Sequence, residues 1–191
     1  MNANAAVDPR QNLYQQWIAH SRGLPNDEAL AQMLATHYSG GGSLPTGLGL
    51  VPAEFAALLH RHFPGAPLPA TPRPMVLHWD PRLLEEREDL VKLLQLHRAE
   101  RDESESWISK IVAAGCMARD HLWQDLGLWS RRELSALMAC NFPGLAAKND
   151  RDMKWKKFLY KQLCQQEGVY LCRAPVCELC ADYAHCFGPE D

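Results

Sequence analysis

The segment L-G-L-W-S-R-R-E-L-S-A-L-M-A-C-N-F-P-G, from Leu126 to Gly144, contains both end signals of one predicted helix. Ser130, followed three residues later by Glu133, has the pattern of a capping box at a helix N-terminus. Leucines at helical spacing follow, and Pro143 limits the helix because a proline disfavours the α conformation in the residue before it. The segment therefore predicts a helix that starts after Ser130 and ends before Pro143.

Comparable start signals precede the other apolar stripes of the chain. Aspartate or asparagine at an N-cap and proline in the first helical turn both favour a helix start. In chain order, these signals are Asp8-Pro9, Asn26, Pro52, Asp80-Pro81, Asp102 with Glu105 as another capping box, and Asn149-Asp150. No stretch reads as a strand. We therefore predict an all-α fold.

A degenerate copy of the Leu126–Gly144 segment precedes it in the chain. A shift of 78 residues aligns Leu48-Gly49-Leu50 with Leu126-Gly127-Leu128, and one inserted residue later Phe63-Pro64-Gly65 meets Phe142-Pro143-Gly144. The same shift aligns the apolar stripe of the helix after Asn26 with that of the helix after Asp102. The two matching motifs, Leu-Gly-Leu and Phe-Pro-Gly, make a chance alignment less plausible. The sequence therefore predicts a degenerate duplication of a three-helix unit.

Composition divides the chain into four parts. Five of the thirteen prolines fall between Pro64 and Pro74, which is typical of an extended linker. The last predicted helix runs directly into a segment rich in cysteine. We predict an N-terminal helical unit over residues 1–65, a proline-rich linker over 66–79, a second helical unit with a C-terminal helix over 80–167, and a cysteine-rich tail over 168–191.

Size and charge disfavour several classes of protein. The chain has 191 residues and a formal net charge of −3, which argues against general nucleic-acid binding. Its longest apolar run, from Ile111 to Ala118, is too short to cross a bilayer, and the N-terminus lacks the pattern of a signal peptide. Phosphate-binding glycine loops, G-x-S-x-G, H-E-x-x-H and the Rossmann fingerprint are absent from the sequence. We expect a cytoplasmic protein that binds neither nucleic acid nor membrane and is not an enzyme.

The strongest functional motif is the run C-R-A-P-V-C-E-L-C-A-D-Y-A-H-C near the C-terminus. Its cysteines are Cys172, Cys177, Cys180 and Cys186, in a C-x4-C-x2-C-x5-C spacing. Four thiols this close in sequence are able to converge on one centre, and thiolates suit zinc or an iron–sulfur centre. The unequal gaps within a single loop favour iron and sulfide over structural zinc, which usually takes two short cysteine pairs separated by a longer segment. Zinc remains the alternative, whereas disulfides are disfavoured by the odd count of seven cysteines and the missing signal peptide.

Two histidines are candidates for an accessory role at this centre. His121 lies between the two carboxylates of the run D-H-L-W-Q-D, a setting that suits a metal ligand or a proton carrier. A core histidine paired with a neighbouring carboxylate is the simpler interpretation. His185 directly precedes Cys186, where it either completes a site that the thiols leave open or lies beside it as an outer or exposed residue.

The last predicted helix is basic. From Lys148 to Arg173 there are seven basic and three acidic residues. Such a helix is able to attract an oxyanion or to dock an acidic partner, and a merely solvated face is the alternative. The lysines that we consider candidates for this role are Lys154, Lys157 and Lys161.

The three other cysteines lie on predicted helices, outside the motif. Their mutual spacing does not suggest a site. We predict that they are buried small apolar residues, namely Cys116, Cys140 and Cys164.

Two stretches together resemble one known family. They are D-H-L-W-Q-D-L-G-L-W-S-R-R-E-L-S-A-L-M, from Asp120 to Met138 with Phe142-Pro143 after it, and N-D-R-D-M-K-W-K-K-F-L-Y-K-Q-L-C, from Asn149 to Cys164, which leads to the cysteine run. The chain is here similar to the NifQ family of nitrogen-fixation proteins. The similarity is specific from about Asp120 to Glu190 and diffuse before that, and the cysteine motif follows the family pattern without departure.

The resemblance implies an iron–sulfur protein that takes in molybdenum and carries it in a molybdenum–iron–sulfur cluster. The four cysteines of the motif are then the ligands of a 3Fe–4S or 4Fe–4S type cluster, which becomes MoFe3S4 when loaded. The implied partners are molybdate and the nitrogenase cofactor-assembly proteins, namely the scaffold and the nitrogenase iron protein. The metal then passes to the iron–molybdenum cofactor. The alternatives are a zinc-stapled helical interaction module and an iron–sulfur electron-transfer protein.

Overall fold

The computed structural model of the protein describes residues 8–69, 81–166, 168 and 183–187. Before the predicted linker the helices are α1 (Pro9–Ile18), α2 (Asp27–Tyr38) and α3 (Pro52–His62), with a 3-10 turn over Thr46–Gly49. After it they are α4 (Pro81–Leu96), α5 (Ser104–Cys116), α6 (Leu122–Leu126), α7 (Arg131–Asn141), α8 (Pro143–Ala146), α9 (Trp155–Gln166) and α10 (Tyr183–Phe187). No strand occurs within the described ranges, so the predicted all-α class is confirmed.

Three short helices have no counterpart in the predicted pattern. α6, α8 and α10 contain four or five residues each, which is about one turn and too short for an apolar stripe to repeat. α6 and α8 act as connections that turn the chain between longer helices, whereas α10 is the last described element. Among the described helices, none combines the length and the apolar character that a bilayer crossing requires.

The predicted helix starts are correct for most helices, but α9 begins at Trp155 and not directly after Asn149-Asp150. The Asp8 carboxylate caps α1 by accepting a hydrogen bond from the amide of Arg10 at 3.0 Å. The Ser130 hydroxyl caps α7 by accepting from the amide of Glu133 at 3.3 Å. The reciprocal half of that capping box differs, because the Glu133 carboxylate accepts from the amide of Trp129 at 2.9 Å, one residue before the cap.

The predicted capping box of Asp102 and Glu105 is half right. Glu105 does reach back to the amide of Asp102, at 3.2 Å, and it also accepts from the amides of Glu100 and Arg101. The Asp102 carboxylate instead accepts from the amide and hydroxyl of Ser104, at 2.8 and 2.6 Å. The reason is that Glu100, at φ 57°, turns the chain so that three successive amides face one buried carboxylate.

One hydrophobic core is shared by residues from both sides of the predicted linker. The stripes that the predicted repeat matches are buried on α2 and α5; they are Leu30, Met33, Leu34 and Ala35, and Ile108, Ile111, Val112 and Ala113. Phe63 and Phe142 also share nearly the same backbone conformation, with φ −135° and ψ 60° in one and φ −133° and ψ 57° in the other. The duplication itself and the domain boundaries stay predictions, and residues 70–80 of the predicted linker lie outside the described ranges.

A close approach between α2 and the end of α6 positions the part of the fold that carries the candidate site. The Thr36 hydroxyl donates a hydrogen bond to the carbonyl oxygen of Gly127 at 2.6 Å. Gly127 ends α6 with φ 77°, and a Cβ there would lie 2.8 Å from the Cβ of Thr36. Glycine is therefore required at the centre of the second Leu-Gly-Leu motif by both its backbone conformation and its neighbour.

We predict that the helical part folds without the cysteine-rich tail. The core lies almost entirely before Gly168, and of the tail residues described only Cys186 and Phe187 pack against it, each partly buried. A chain truncated after Gly168 should keep its far-ultraviolet circular dichroism. It should lose about 1–2 kcal/mol of unfolding free energy, because it loses the packing of Phe187 and the contact of that ring with Arg151. Urea unfolding monitored by circular dichroism measures this. An unfolded or aggregated truncation would show instead that the tail is a structural staple.

Candidate functional site

The one described cysteine of the motif is anchored to the start of the basic helix. Cys186 lies on α10 and is half-buried, and its carbonyl oxygen accepts a hydrogen bond from the amide of Lys154 at 2.8 Å. The guanidinium of Arg151 lies over the ring of Phe187, 5.3 Å from its centroid. These contacts fix the last residues of the motif next to the N-terminus of α9. The remaining predicted ligands, Cys172, Cys177 and Cys180, lie outside the described residues.

A short polar loop determines where α9 begins. The side chain of Asn149 accepts a hydrogen bond from the amide of Met153 and donates one to its carbonyl oxygen, both at 2.9 Å. The chain thereby makes a closed turn before Lys154. Trp155 and Phe158 on the inner face of α9 are buried in the core, and the Trp155 indole donates to the Ser135 hydroxyl at 3.1 Å.

Most of the predicted accessory residues meet in one pocket of about 510 Å³, which we call the Lys157 pocket. Its lining residues are Arg119, Asp120, His121, Leu122, Gln124, Lys154, Lys156, Lys157 and His185. The structure therefore brings four of the five accessory candidates together beside Cys186. Arg119 was not among the candidates. The only signal for it in the sequence is its position two residues before His121.

Lys161, the fifth candidate, lies elsewhere. It lines a separate pocket of about 450 Å³, which we call the Lys161 pocket, together with Lys148, Arg151 and Phe187 among others. Lys161 follows Lys157 by about one helical turn, but the two lysines line different pockets. The three lysines are therefore not one functional group.

The two histidines line the Lys157 pocket from different helices, His121 at the start of α6 and His185 on α10. His121 is the N-cap residue of α6, and its amide donates to the side-chain oxygen of Gln124 at 3.2 Å. It is half-buried and lines the pocket, so the interpretation as a core histidine is wrong. Asp125, four residues later, is the buried polar residue instead. His185 is exposed on α10, as one of the two sequence interpretations expected.

An ion pair between Lys156 and the buried Asp125 lies next to the Lys157 pocket. The Asp125 side chain is completely buried, and one of its oxygens accepts a hydrogen bond from the ammonium group of Lys156. Lys156 also donates to the carbonyl oxygen of Ala118 at 3.0 Å. The backbone carbonyl of Asp125 accepts from the amide of Ser43 at 2.9 Å. Lys156 thus joins α9 to the turn between α5 and α6.

The cysteines outside the motif differ from one another. Cys116 is buried, and this burial raises the pKa of its thiol to about 12, so the thiol stays protonated at neutral pH. Cys140 is exposed on the outer face of α7 and Cys164 is half-buried. The prediction of burial is confirmed for Cys116 and wrong for Cys140. Within the described ranges no three His, Cys, Asp or Glu side chains converge on a metal position, and three of the four predicted ligands lie outside those ranges.

Over the described residues the fold is all-helical, and Cys186, the last cysteine of the C-terminal motif, lies next to a basic pocket. The family model that matches this chain is described as NifQ and covers residues 29–188. Protein NifQ of Azotobacter vinelandii is 41% identical over 184 residues, which is 92% of this chain and 93% of the relative. Protein NifQ of Klebsiella pneumoniae is 34% identical over 176 residues, or 86% of this chain and 99% of the relative. The chain belongs to the NifQ family, which is related to nitrogen fixation. No solved structure matches it significantly.

We predict that Lys156 and Lys157, although adjacent, differ sharply in their effect on stability. Lys156→Met should lower the unfolding free energy by about 3 kcal/mol, because it leaves the buried Asp125 carboxylate without its cation. Lys157→Met removes an exposed charge and should change it by less than about 0.5 kcal/mol. Urea unfolding of both variants measures the difference. Equal effects would show that the ion pair does not fix α9.

Proposed function

We propose that this protein carries molybdenum and donates it for the assembly of the iron–molybdenum cofactor of nitrogenase. Membership of the NifQ family supports the nitrogen-fixation context. The observation that carries the proposal is the anchoring of Cys186 beside the Lys157 pocket. This arrangement places the backbone of the last cysteine in a four-cysteine motif next to a group of cations, so that a proposed soft metal ligand lies close to a site suited to anions.

The resident group in this proposal is an iron–sulfur cluster held by Cys172, Cys177, Cys180 and Cys186. The donor set fits such a group, because four thiolates provide the soft ligands that iron–sulfur clusters require. Cys186 fits as well, since it is half-buried on a short helix and is not withdrawn into the core as Cys116 is. The cluster would have the 3Fe–4S or 4Fe–4S form, and the MoFe3S4 form once molybdenum is loaded. Its chemical contribution would be sulfide as a soft ligand for molybdenum.

Delivery, and not catalysis, is the role that we assign to the chain. Molybdate is the source of the cargo, and the cofactor-assembly proteins, namely the scaffold and the nitrogenase iron protein, are the recipients. A carrier must release its metal to a recipient, so its ligands should lie on a segment that the recipient is able to reach. His185 and Cys186 are partly or fully accessible on α10, which meets this requirement.

We predict that replacing Cys177 or Cys180 by serine abolishes most of the bound iron. Serine is a poor ligand for a cluster that depends on thiolates. In anaerobically purified protein, visible absorption, iron and acid-labile sulfide per chain should all fall, while circular dichroism in the far ultraviolet stays nearly unchanged.

Cys140→Ser provides the matched control, because Cys140 is exposed but lies outside the motif. It should retain the iron and sulfide of the wild type. A colourless wild-type protein that holds one zinc after reconstitution with iron and sulfide would contradict the cluster and support the zinc-stapled interaction module.

We also predict that the molybdenum-loaded protein supports cofactor assembly without free molybdate. The loaded chain is mixed with the cofactor-assembly proteins, and the active cofactor that forms and the molybdenum left on the chain are both measured. Cofactor should appear as molybdenum leaves the chain. If cofactor forms only after molybdate is added and the chain keeps its molybdenum, the donor role is wrong and an electron-transfer role replaces it.

A further inference from the structure

We infer that the Lys157 pocket is a binding site for a tetrahedral oxyanion with two negative charges. The charge balance of the described residues is the first reason. Arg119, Lys154, Lys156 and Lys157 contribute four positive charges, and Asp120 with Asp125 contributes two negative ones, which leaves +2 when both histidines are neutral. A bound dianion would neutralise this net charge of +2.

The chemistry of the lining is the second reason. Leu122 is the one apolar residue among the nine that line the pocket, so an apolar ligand gains little there. Guanidinium and ammonium groups are strong hydrogen-bond donors to oxyanions, and the guanidinium of Arg119 is able to bind two oxygens at once. The donors also come from different segments, since Arg119 lies before α6, Lys154 directly precedes α9 and Lys157 lies on α9. Such a distribution suits a tetrahedral anion better than a planar carboxylate.

The availability of the cations is the third reason. Lys156 is bound to Asp125 and serves mainly to hold α9 in place. Arg119 and Lys157 are exposed at the pocket, and the structure records no ion pair for either of them among the residues that it describes. Their charges therefore remain available for a ligand from solution.

The contrast with the Lys161 pocket supports the assignment. That pocket also contains three basic residues, but Arg151 lies over the Phe187 ring and the ammonium of Lys148 is 3.2 Å from the Nε2 atom of His97. Two of its three cations are therefore engaged by other parts of the chain. Lys161 provides a control in the same helix, with the same charge and one turn away from Lys157.

The position of the pocket gives the anion a role, and this step rests on the proposed function. His185 lines the pocket and is bonded to Cys186, while the amide of Lys154 is hydrogen-bonded to the carbonyl oxygen of Cys186. An oxyanion in the pocket therefore lies close to Cys186, the one proposed cluster ligand among the described residues. Molybdate is a tetrahedral dianion, so we assign the pocket to the capture of molybdate before its metal reaches the cluster.

Isothermal titration of the full-length protein tests the site. Sodium molybdate and sodium sulfate are titrated in separate experiments at pH 8 and at constant ionic strength, because salt screens such binding. We expect one molybdate per chain. Arg119→Gln and Lys157→Gln should each weaken binding about tenfold, the effect of losing one charge-assisted hydrogen bond, whereas Lys161→Gln should change it less than twofold.

Several outcomes would overturn the inference. Failure of the wild type to bind either anion saturably removes the site, and an equal loss in Lys161→Gln shows a diffuse positive field in place of a defined pocket. Tighter binding of sulfate than of molybdate rules out the role in molybdate capture.

The same variants separate this inference from the proposed function. We expect Lys157→Gln to keep its iron and to deliver molybdenum that was already loaded, but to load more slowly from dilute molybdate. If molybdate binds as expected and the wild-type chain never delivers molybdenum, the oxyanion site stands and the donor function fails. If delivery occurs and molybdate does not bind the pocket, the donor function stands and the oxyanion site fails.

Discussion

The arrangement of the candidate site depends on the buried carboxylate of Asp125. This carboxylate is completely desolvated and is compensated by the ammonium group of Lys156, which also binds the carbonyl oxygen of Ala118. The backbone of Asp125 is fixed at the same time, because its carbonyl oxygen accepts from the amide of Ser43 and its amide donates to the carbonyl oxygen of His121. One residue therefore joins the loop after α2, the start of α6 and the start of α9. A buried charge of this kind is costly to leave unpaired, so α9 is held where Lys156 reaches it.

The ion pair also explains why neighbouring lysines have different surroundings. Successive residues of an α-helix point about 100° apart, so when Lys156 is directed inward Lys157 must point away from the carboxylate. Lys157 then faces the pocket formed with Arg119 and the N-terminus of α6. Lys161, one turn further along, is beyond the reach of this pocket and faces the other side of α10. Lys156 thus stabilises the position of α9, while the adjacent Lys157 supplies positive charge to the pocket.

Local interactions made much of the fold predictable, whereas the site depends on contacts between distant segments. The caps at Asp8 and Ser130 involve neighbouring residues, and their sequence patterns predicted α1 and α7 closely. The burial of His121 was predicted wrongly, because a histidine between two carboxylates gives no indication of which polar side chain is buried. The buried side chain is that of Asp125. The grouping of Arg119 with Lys157 could not be predicted from the sequence either. It requires α9 to pack beside the turn between α5 and α6, and the two residues are 38 positions apart in the chain.

The proposed carrier has to handle molybdenum in two chemical forms, and these forms need different donors. An oxyanion is bound through its oxygens by N–H groups and positive charge, whereas a metal in a cluster is bound through sulfur. A group of thiolates would repel a dianion, and ammonium or guanidinium groups do not coordinate a metal. In the proposed carrier, adjacent sites would resolve this conflict, and His185 and Cys186 on α10 are the described residues of the motif that lie at the pocket. The cations then act on both forms, because positive charge beside Cys186 attracts the anion and also lowers the cost of gathering several negatively charged thiolates in one segment.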